Sequence, residues 1–332
     1  MKSITIKDVA KNSKVSATTV SRVIHGNSKV SPKVREKVLE TIKSLNYFPN
    51  ENARAIVNKR TNVIGLVLTD ISNPFYPTLL RGIENTINKS NFSMILCNTD
   101  ENPTKEERFL RILLEKRIDG LIIVPTGPDI SFLKTFEARN IPIVCVDRVV
   151  RNVETDSVVV DNFHGAFIAT EKLIQSSHQR IAIIGGNKNI FTIGERFRGY
   201  TEALDTHGIV TNQDYIKMGG FTIEDYEQDT LNVFSLATPP TAVFSAGNLS
   251  TIGIYIALNK MKKKIPRDVS IVGFDDLVWV EALTPPLTAI SQPIYQIGAT
   301  SAQLLLQRML HEGPSEKQNI MLSTSLVIRE SC

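Results

Sequence analysis

Residues 4–25 read ITIKDVAKNSKVSATTVSRVIH, two short helix-length segments on either side of a tight turn. Ile6, Val9 and Ala10 share one side of a helix expected over about Ile6 to Ser13, and Val15 sits in the turn. Val20, Val23 and Ile24 recur at i, i+3 and i+4 on the following helix, so the two apolar faces can close on each other, with the small Ala10 where the helices cross. Ser16 is a good N-cap for the second helix. Its outward positions Ala17, Thr18, Ser21 and Arg22 are small or hydrogen-bonding, the chemistry that enters a DNA major groove. Thr5 and Thr19 complete the expected headpiece contacts. A hairpin with a merely polar outer face is the bland alternative, and charge argues against it. Residues 1–60 carry 13 Lys/Arg against 4 Asp/Glu, or +9, whereas the whole chain carries 38 against 34, leaving 25 against 30, or −5, for the rest. A basic head on a mildly acidic body presents one end to nucleic acid.

Outward from this stretch, SPKVREKVLETIKSLN has Ser31 as N-cap, Pro32 at the first helical position, and Val34, Val38, Leu39, Ile42 and Leu45 at helical spacing, which predicts a third helix completing a small core. YFPN (47–50) ends it, because the residue before Pro49 is biased away from helix. ENARAIVNKR (51–60) has little apolar surface and is too short to be a stable helix alone. The whole run from Thr5 to Ala55 resembles the amino-terminal signature of the LacI/GalR family, the lactose and purine repressors. That resemblance extends along essentially the full chain. It implies a headpiece over 1–49, a hinge helix over 50–60 that folds when two copies meet in the DNA minor groove, and an effector-binding and dimerisation body over 61–332. Arg54 and Ile56 are the implied hinge contacts. Ile56 stands where the family usually places a leucine wedge, and Lys14 stands in the turn where it commonly has glycine.

A chain of 332 residues suits two or three domains. No apolar run at MKSITIKD resembles a signal peptide and no stretch reaches membrane-spanning length, so a cytoplasmic protein without membrane partners is expected. Cys97, Cys145 and Cys332 lack CxxC spacing, and the five histidines are scattered, so neither a disulfide frame nor a metal site is expected. GxGxxG, GxSxG and HExxH are all absent. An enzyme with catalytic residues or a bound cofactor is therefore not expected. A sugar-transport binding protein would suit the body but not the basic head.

From Asn62 onward short apolar runs alternate with amphipathic stretches: NVIGLVLTD, SMILCNTD, GLIIVP, PIVCVDR and SVVVDN, then RIAIIGG, DYIKMGG, TAVFSAG, VSIVGFDD and LTAISQP. This pattern predicts an α/β body of two doubly wound parallel sheets. The resemblance implies a periplasmic-binding-protein-like arrangement with subdomain one over about 61–161 and 293–321, and subdomain two over about 162–292 and 322–332. The chain would cross between them near Asp161–His164, Ser291–Pro293 and Met321–Ser323. With no heptad tail, a homodimer is the expected state.

Ligands of open α/β sheets bind beyond the carboxyl ends of the strands. Those ends offer Asp70, Asn73, Phe75, Tyr76, Asn98, Asp100, Asp147, Arg148, Asp161, Arg196, Phe221, Asn248, Asp275 and Trp279, a set of polar groups and aromatic plates that suits a sugar-like molecule. DISNPFY, VDR, ERFRGY and GFDD resemble the family's effector motifs, which implies ligand contact for Phe75, Tyr76, Arg148, Arg196 and Asp275. The expected effector set is Asn73, Phe75, Tyr76, Arg148, Asp161, Arg196, Phe221, Asn248, Asp275 and Trp279. Asn248 is neutral where the family often carries an acid. Together with Arg148 and Arg196 it predicts an electropositive cleft and an anionic monosaccharide, such as a sugar acid or sugar phosphate; the alternative is that Asp147, Asp161 or Glu195 neutralises the two arginines and the site accepts neutral sugars.

Overall fold

A capping box starts the chain's first helix. The Asp8 carboxylate accepts from both the backbone N–H and the hydroxyl of Thr5, at 2.8 and 2.7 Å, and fixes the start of α1 (Ile6–Ser13). Ser16 Oγ accepts from Thr19 N at 3.1 Å and starts α2 (Ala17–Ile24). Pro32 opens α3 (Pro32–Ser44). This computed structural model describes residues 4–24, 29–47 and 60–332. It divides into two units, Met1–Thr61 and Asn62–Cys332. The hinge segment with Arg54 and Ile56 lies outside the described residues.

Val9, Ala10, Val20, Val23, Val38 and Tyr47 form the core of the first unit, as the spacing predicts for the first five. Leu39 does not join them; it is 49% exposed, one helical position away from the inward Val38. Ala17, expected to face outward, is half-buried and packs against that core. Lys14 ends α1 in the left-handed region, at φ 56° and ψ 42°, with its N–H turned back to the carbonyls of Ala10 and Lys11.

In the second unit, β1 (Val63–Leu68), β2 (Ser93–Asn98), β3 (Gly120–Ile123), β4 (Ile143–Val146) and β5 (Asp156–Val160) make a parallel sheet in the order β2-β1-β3-β4-β5, and β11 (Asn319–Leu322) joins parallel to β5 at the edge. The second sheet has β6 (Ile181–Gly185), β7 (Ile216–Met218), β8 (Ala242–Ser245), β9 (Ser270–Phe274) and β10 (Thr288–Ser291), in the order β7-β6-β8-β9-β10. The antiparallel β12 (Ser325–Val327) closes its edge. Strands β1, β3, β4, β5, β6, β8 and β9 are buried along nearly their whole length, as expected of strands covered on both faces. The chain passes between the two lobes after β5, after β10 and between β11 and β12. Among the described residues no helix is long and apolar enough to cross a membrane.

Helices α4 (Phe75–Ile87) and α11 (Ile294–Leu310) lie against each other on one face of the first sheet, where sequence-distant segments share one core. Their crossing is backbone on backbone: a Cβ at Gly298 would sit 2.1 Å from the carbonyl oxygen of Leu79, and one at Gly82 2.2 Å from that of Tyr295. Neither oxygen can rotate away as a side chain would.

Two stability measurements check this account. Gly298→Ala gains about 1 kcal/mol of helix propensity but must push two helices apart, so it is expected to destabilise the fold by a net amount on the order of 1–3 kcal/mol, read as a lowered melting temperature; an unchanged melting temperature would show that the crossing is looser than described. Lys14→Gly removes roughly 1–2 kcal/mol of left-handed strain and adds about 0.5–1 kcal/mol of unfolded-chain entropy. Denaturant titration of a residues 1–61 fragment should therefore find it as stable as the parent or up to about 1 kcal/mol more so, and a clear loss would contradict the strain.

Candidate functional site

The first unit offers one polar helix face. Thr18 and Arg22 of α2 are exposed, Thr5 and Ser16 are exposed at the two helix starts, and Thr19 and Ser21 are half-buried. The Ser16 and Thr19 hydroxyls lie 2.8 Å apart, so each is already engaged in holding the start of the helix.

The second unit's site is a cleft between its lobes, a cavity of about 150 Å³ lined from both sheets at the carboxyl ends of their strands. Eight of the ten expected effector residues line it: Asn73, Phe75, Tyr76, Arg148, Arg196, Phe221, Asn248 and Asp275. Two do not. Asp161 is the N-cap of the helix Asn162–Gln175, its carboxylate accepting from His164 N at 2.8 Å. Trp279 packs instead against apolar clusters of both lobes. Asn98 and Asp100 are also outside the lining: Asn98 Oδ1 holds Ile71 N at 2.9 Å, and Asp100 pairs with Lys105. The reasoning from strand ends missed Glu101 and Gln292, both of which line the cleft. Each follows a strand, Gln292 directly after β10 within the expected crossover Ser291–Pro293, and Glu101 beyond β2, past the last residue considered at that strand end.

Asp275 is the hub of the second lobe's wall. It stands just past β9 at φ 79°, buried, and its Oδ2 accepts from both the backbone N and Nδ2 of Asn248, at 3.1 and 3.0 Å. Its Oδ1 accepts from Gln292 Nε2. Asn248 Nδ2 also reaches across the cleft to Asn73 Oδ1, 3.0 Å away in the first lobe. Arg196 is buried with its plane over the Phe274 ring, 3.6 Å from the centroid, and donates to Asn162 Oδ1 and the carbonyl of Ala246, each at 2.8 Å. Burial lowers its pKa, opposed by the carboxylates of Asp275 and Asp147.

The first lobe supplies the other guanidinium. Arg148 Nη1 and Nη2 donate to the two carboxylate oxygens of Glu101 at 2.8 and 2.6 Å, and Nη1 also donates to the carbonyl of Pro125 at 3.1 Å. Burial works against its charge, but the Glu101 hydrogen bonds and the neighbouring negative groups hold its pKa above the ordinary value. Asp147 beside it, 3.7 Å from Arg148 Nε, is pushed up to about 6 by burial, with both guanidiniums pulling the other way. The expected electropositive cleft is thus corrected. Asp70, Glu101, Asp147 and Asp275 put four carboxylates in the lining against two guanidiniums, and the fork of Arg148 is already filled.

Comparison with known proteins places both units. Residues 5–50 match the family described as bacterial regulatory proteins, lacI family, and residues 61–329 match periplasmic binding proteins and sugar binding domain of LacI family. The chain is 38% identical over 331 residues to a ribose operon repressor of Halalkalibacterium halodurans, covering 98% of this chain and 96% of that one. Among solved structures it is similar to the lac repressor dimer bound to operator and an anti-inducer, with a TM-score of 0.88 and 28% identity over 99% of each chain. It is also similar to a LacI family regulator from Enterococcus faecium with bound ribose, with a TM-score of 0.73 and 32% identity over 81% of this chain and 98% of that one. With matched segments covering the polar-faced helices and the two-lobed cleft alike, the chain belongs to the LacI family of transcription regulators, in which a DNA-binding headpiece is joined to a sugar-binding domain.

Proposed function

We propose that this chain represses transcription by binding a palindromic operator as a homodimer, and that its cleft takes a neutral monosaccharide of the ribose class as effector. One observation carries the choice of ligand. Three buried polar atoms of lining residues have no hydrogen-bond partner within the described residues: the acceptors Asn248 Oδ1 and Gln292 Oε1, and the donor Arg148 Nε. A buried acceptor left without a partner costs roughly 1–3 kcal/mol. The ligand that relieves this must bring O–H donors together with an acceptor, and a sugar hydroxyl is both; an acid of the same sugar has one hydroxyl fewer, and its carboxylate only accepts.

The rest of the cleft agrees in kind. Its carboxylates also want donors, Phe75 and the half-exposed Phe221 offer ring faces for C–H surfaces, and the cavity has the size that accepts a single ring. The names of the ribose operon repressor and of the ribose-bound regulator point the same way. An anionic sugar would have to enter a lining with more carboxylates than guanidiniums. For DNA, the operator-bound relative supports a dimer whose two headpieces read symmetric half-sites. In that reading Thr18 and Arg22 face base edges, Thr5, Ser16, Thr19, Ser21 and Arg54 serve the backbone and the groove margins, and Ile56 wedges the central step.

Titration calorimetry of the full-length chain is expected to show ribose binding, with Asp275→Asn weakening it by about tenfold or more, since a hydrogen bond to a charged group contributes roughly 1.5–3 kcal/mol. Tighter binding of an acid of the same sugar, or of a purine base, overturns the ligand assignment. On the DNA side, Arg22→Ala should relax base preference at one position per half-site by about 1–3 kcal/mol. Equal weakening on every sequence in a mobility-shift series would make Arg22 a phosphate contact instead.

A further inference from the structure

The cleft holds a carboxylate that no strand end or motif anticipates, and its geometry is unlike that of the other acidic residues in the lining. Asp275 accepts from the amide groups of Asn248 and Gln292 and leaves Arg196 to Asn162, Ala246 and the Phe274 ring. Glu101 instead meets a guanidinium end-on, one oxygen on each of Arg148 Nη1 and Nη2. That end-on fork is one of the arrangements by which an arginine holds a carboxylate or phosphate with two parallel charge-assisted hydrogen bonds; the side-on edge at Nε is buried, with Asp147 Oδ2 3.7 Å from it. Glu101 therefore occupies, from within the chain, the place an anionic ligand would take.

The backbone delivers it there. Asp100 and Glu101 are consecutive residues in the left-handed region, at φ 51° and 54°, so the chain leaving β2 turns back and swings the Glu101 side chain into the cleft. Its side chain keeps 25% of its exposure while that of Arg148 keeps 9%. The carboxylate is thus the cleft-facing and the arginine the buried member of the pair. A ligand anion could reach the fork only by displacing Glu101, which would leave a second negative charge beside Asp147 and Asp70. A neutral hydroxyl needs no such exchange.

We infer that Glu101 is the selectivity residue of the effector site: an internal counter-ion that fills the Arg148 fork and so excludes anionic sugars in favour of neutral ones. This rests on the monosaccharide reading of the cleft given above, and its test separates the two. Full-length protein is titrated by calorimetry with ribose and with the two acids of the same sugar, the carboxylate standing at C5 in one and at C1 in the other, so that either end of the ligand can present the charge. The parent chain tests the reading of the cleft: binding of ribose supports it, and failure to bind ribose overturns it. The variants test Glu101. Glu101→Gln, which removes the charge and keeps the size, should raise the affinity for at least one acid relative to ribose by about tenfold or more, the scale of a hydrogen bond to a charged group. No gain in affinity for either acid over the parent chain overturns the inference, whether or not the parent binds ribose. Glu101→Asp keeps the charge and should keep the parent's order of preference; if it behaves like Glu101→Gln, the charge is not the cause and the inference falls. In Glu101→Gln combined with Arg148→Gln the gain for the acid should vanish, and a gain that persists would mean that Arg148 is not the group Glu101 blocks. A melting curve for each variant separates a lost fold from a changed preference.

Discussion

A charge taken out of water has to be neutralised where it lies, and two guanidiniums are buried in the walls of this cleft. The desolvation of each amounts to several kcal/mol, too much for a ligand that comes and goes to offset alone. The surrounding chain is arranged accordingly. Arg148 has a carboxylate on its fork, a second one 3.7 Å from its Nε, and a carbonyl at its side. Arg196 has an aromatic face, an amide oxygen and a carbonyl. The turn after β2 brings in Glu101, the loop before β5 carries Arg148, and the helix Phe191–Thr206 carries Arg196. The ligand meets a wall whose charges are already paired, and what it can still supply is donors for Asn248 Oδ1 and Gln292 Oε1 and an acceptor for Arg148 Nε.

The two lobes solve this in parallel. Asp147 follows β4 and Asp275 follows β9, each the next residue past a buried strand, each buried and each in the left-handed region, at φ 66° and 79°. In both cases the strained residue's own N–H is held by the neighbouring strand, Asp147 by Val158 and Asp275 by Ile290, at 3.0 Å. A non-glycine residue kept in this region costs on the order of 1–3 kcal/mol and persists where its surroundings over-determine it. Here the left-handed residue turns the carboxylate from the line of the strand into the cleft, and the neighbouring strand holds it there.

Most of the architecture is legible in the sequence because its cause is local. Val20, Val23 and Val38 are buried as their spacing requires, and the apolar runs 63–68, 120–123, 143–146 and 181–185 are strands for the reason their composition states. Arg196, Asn248 and Asp275 come together because all three stand at carboxyl ends of neighbouring strands or on the helices that follow. The departures have equally definite causes. Asp161 satisfies a helix start, a competing use of a strand-end carboxylate that sequence alone does not exclude. Glu101 depends on two successive left-handed residues in TDENP, and nothing in that string says which of its acids turns inward. The charge of the cleft turns on pairing between distant residues: Asp147, Asp161 and Glu195 are the partners the sequence offers for the arginines, whereas the carboxylate on the fork of Arg148 is that of Glu101, 47 residues away.

Trp279 is the chain's only tryptophan, and it is wedged where the lobes meet, in contact with the apolar clusters of both, with a buried Nε1 that finds no acceptor among the described residues. An indole in such a seam is an optical gauge built into the protein. Its emission comes from a single place, undiluted by any second tryptophan, and depends on how much water reaches the seam. Parting the lobes wets the ring and moves the emission to the red, whereas tightening them moves it to the blue. Relative motion of the two halves during effector binding can therefore be followed in the unlabelled regulator, in real time and without altering a residue.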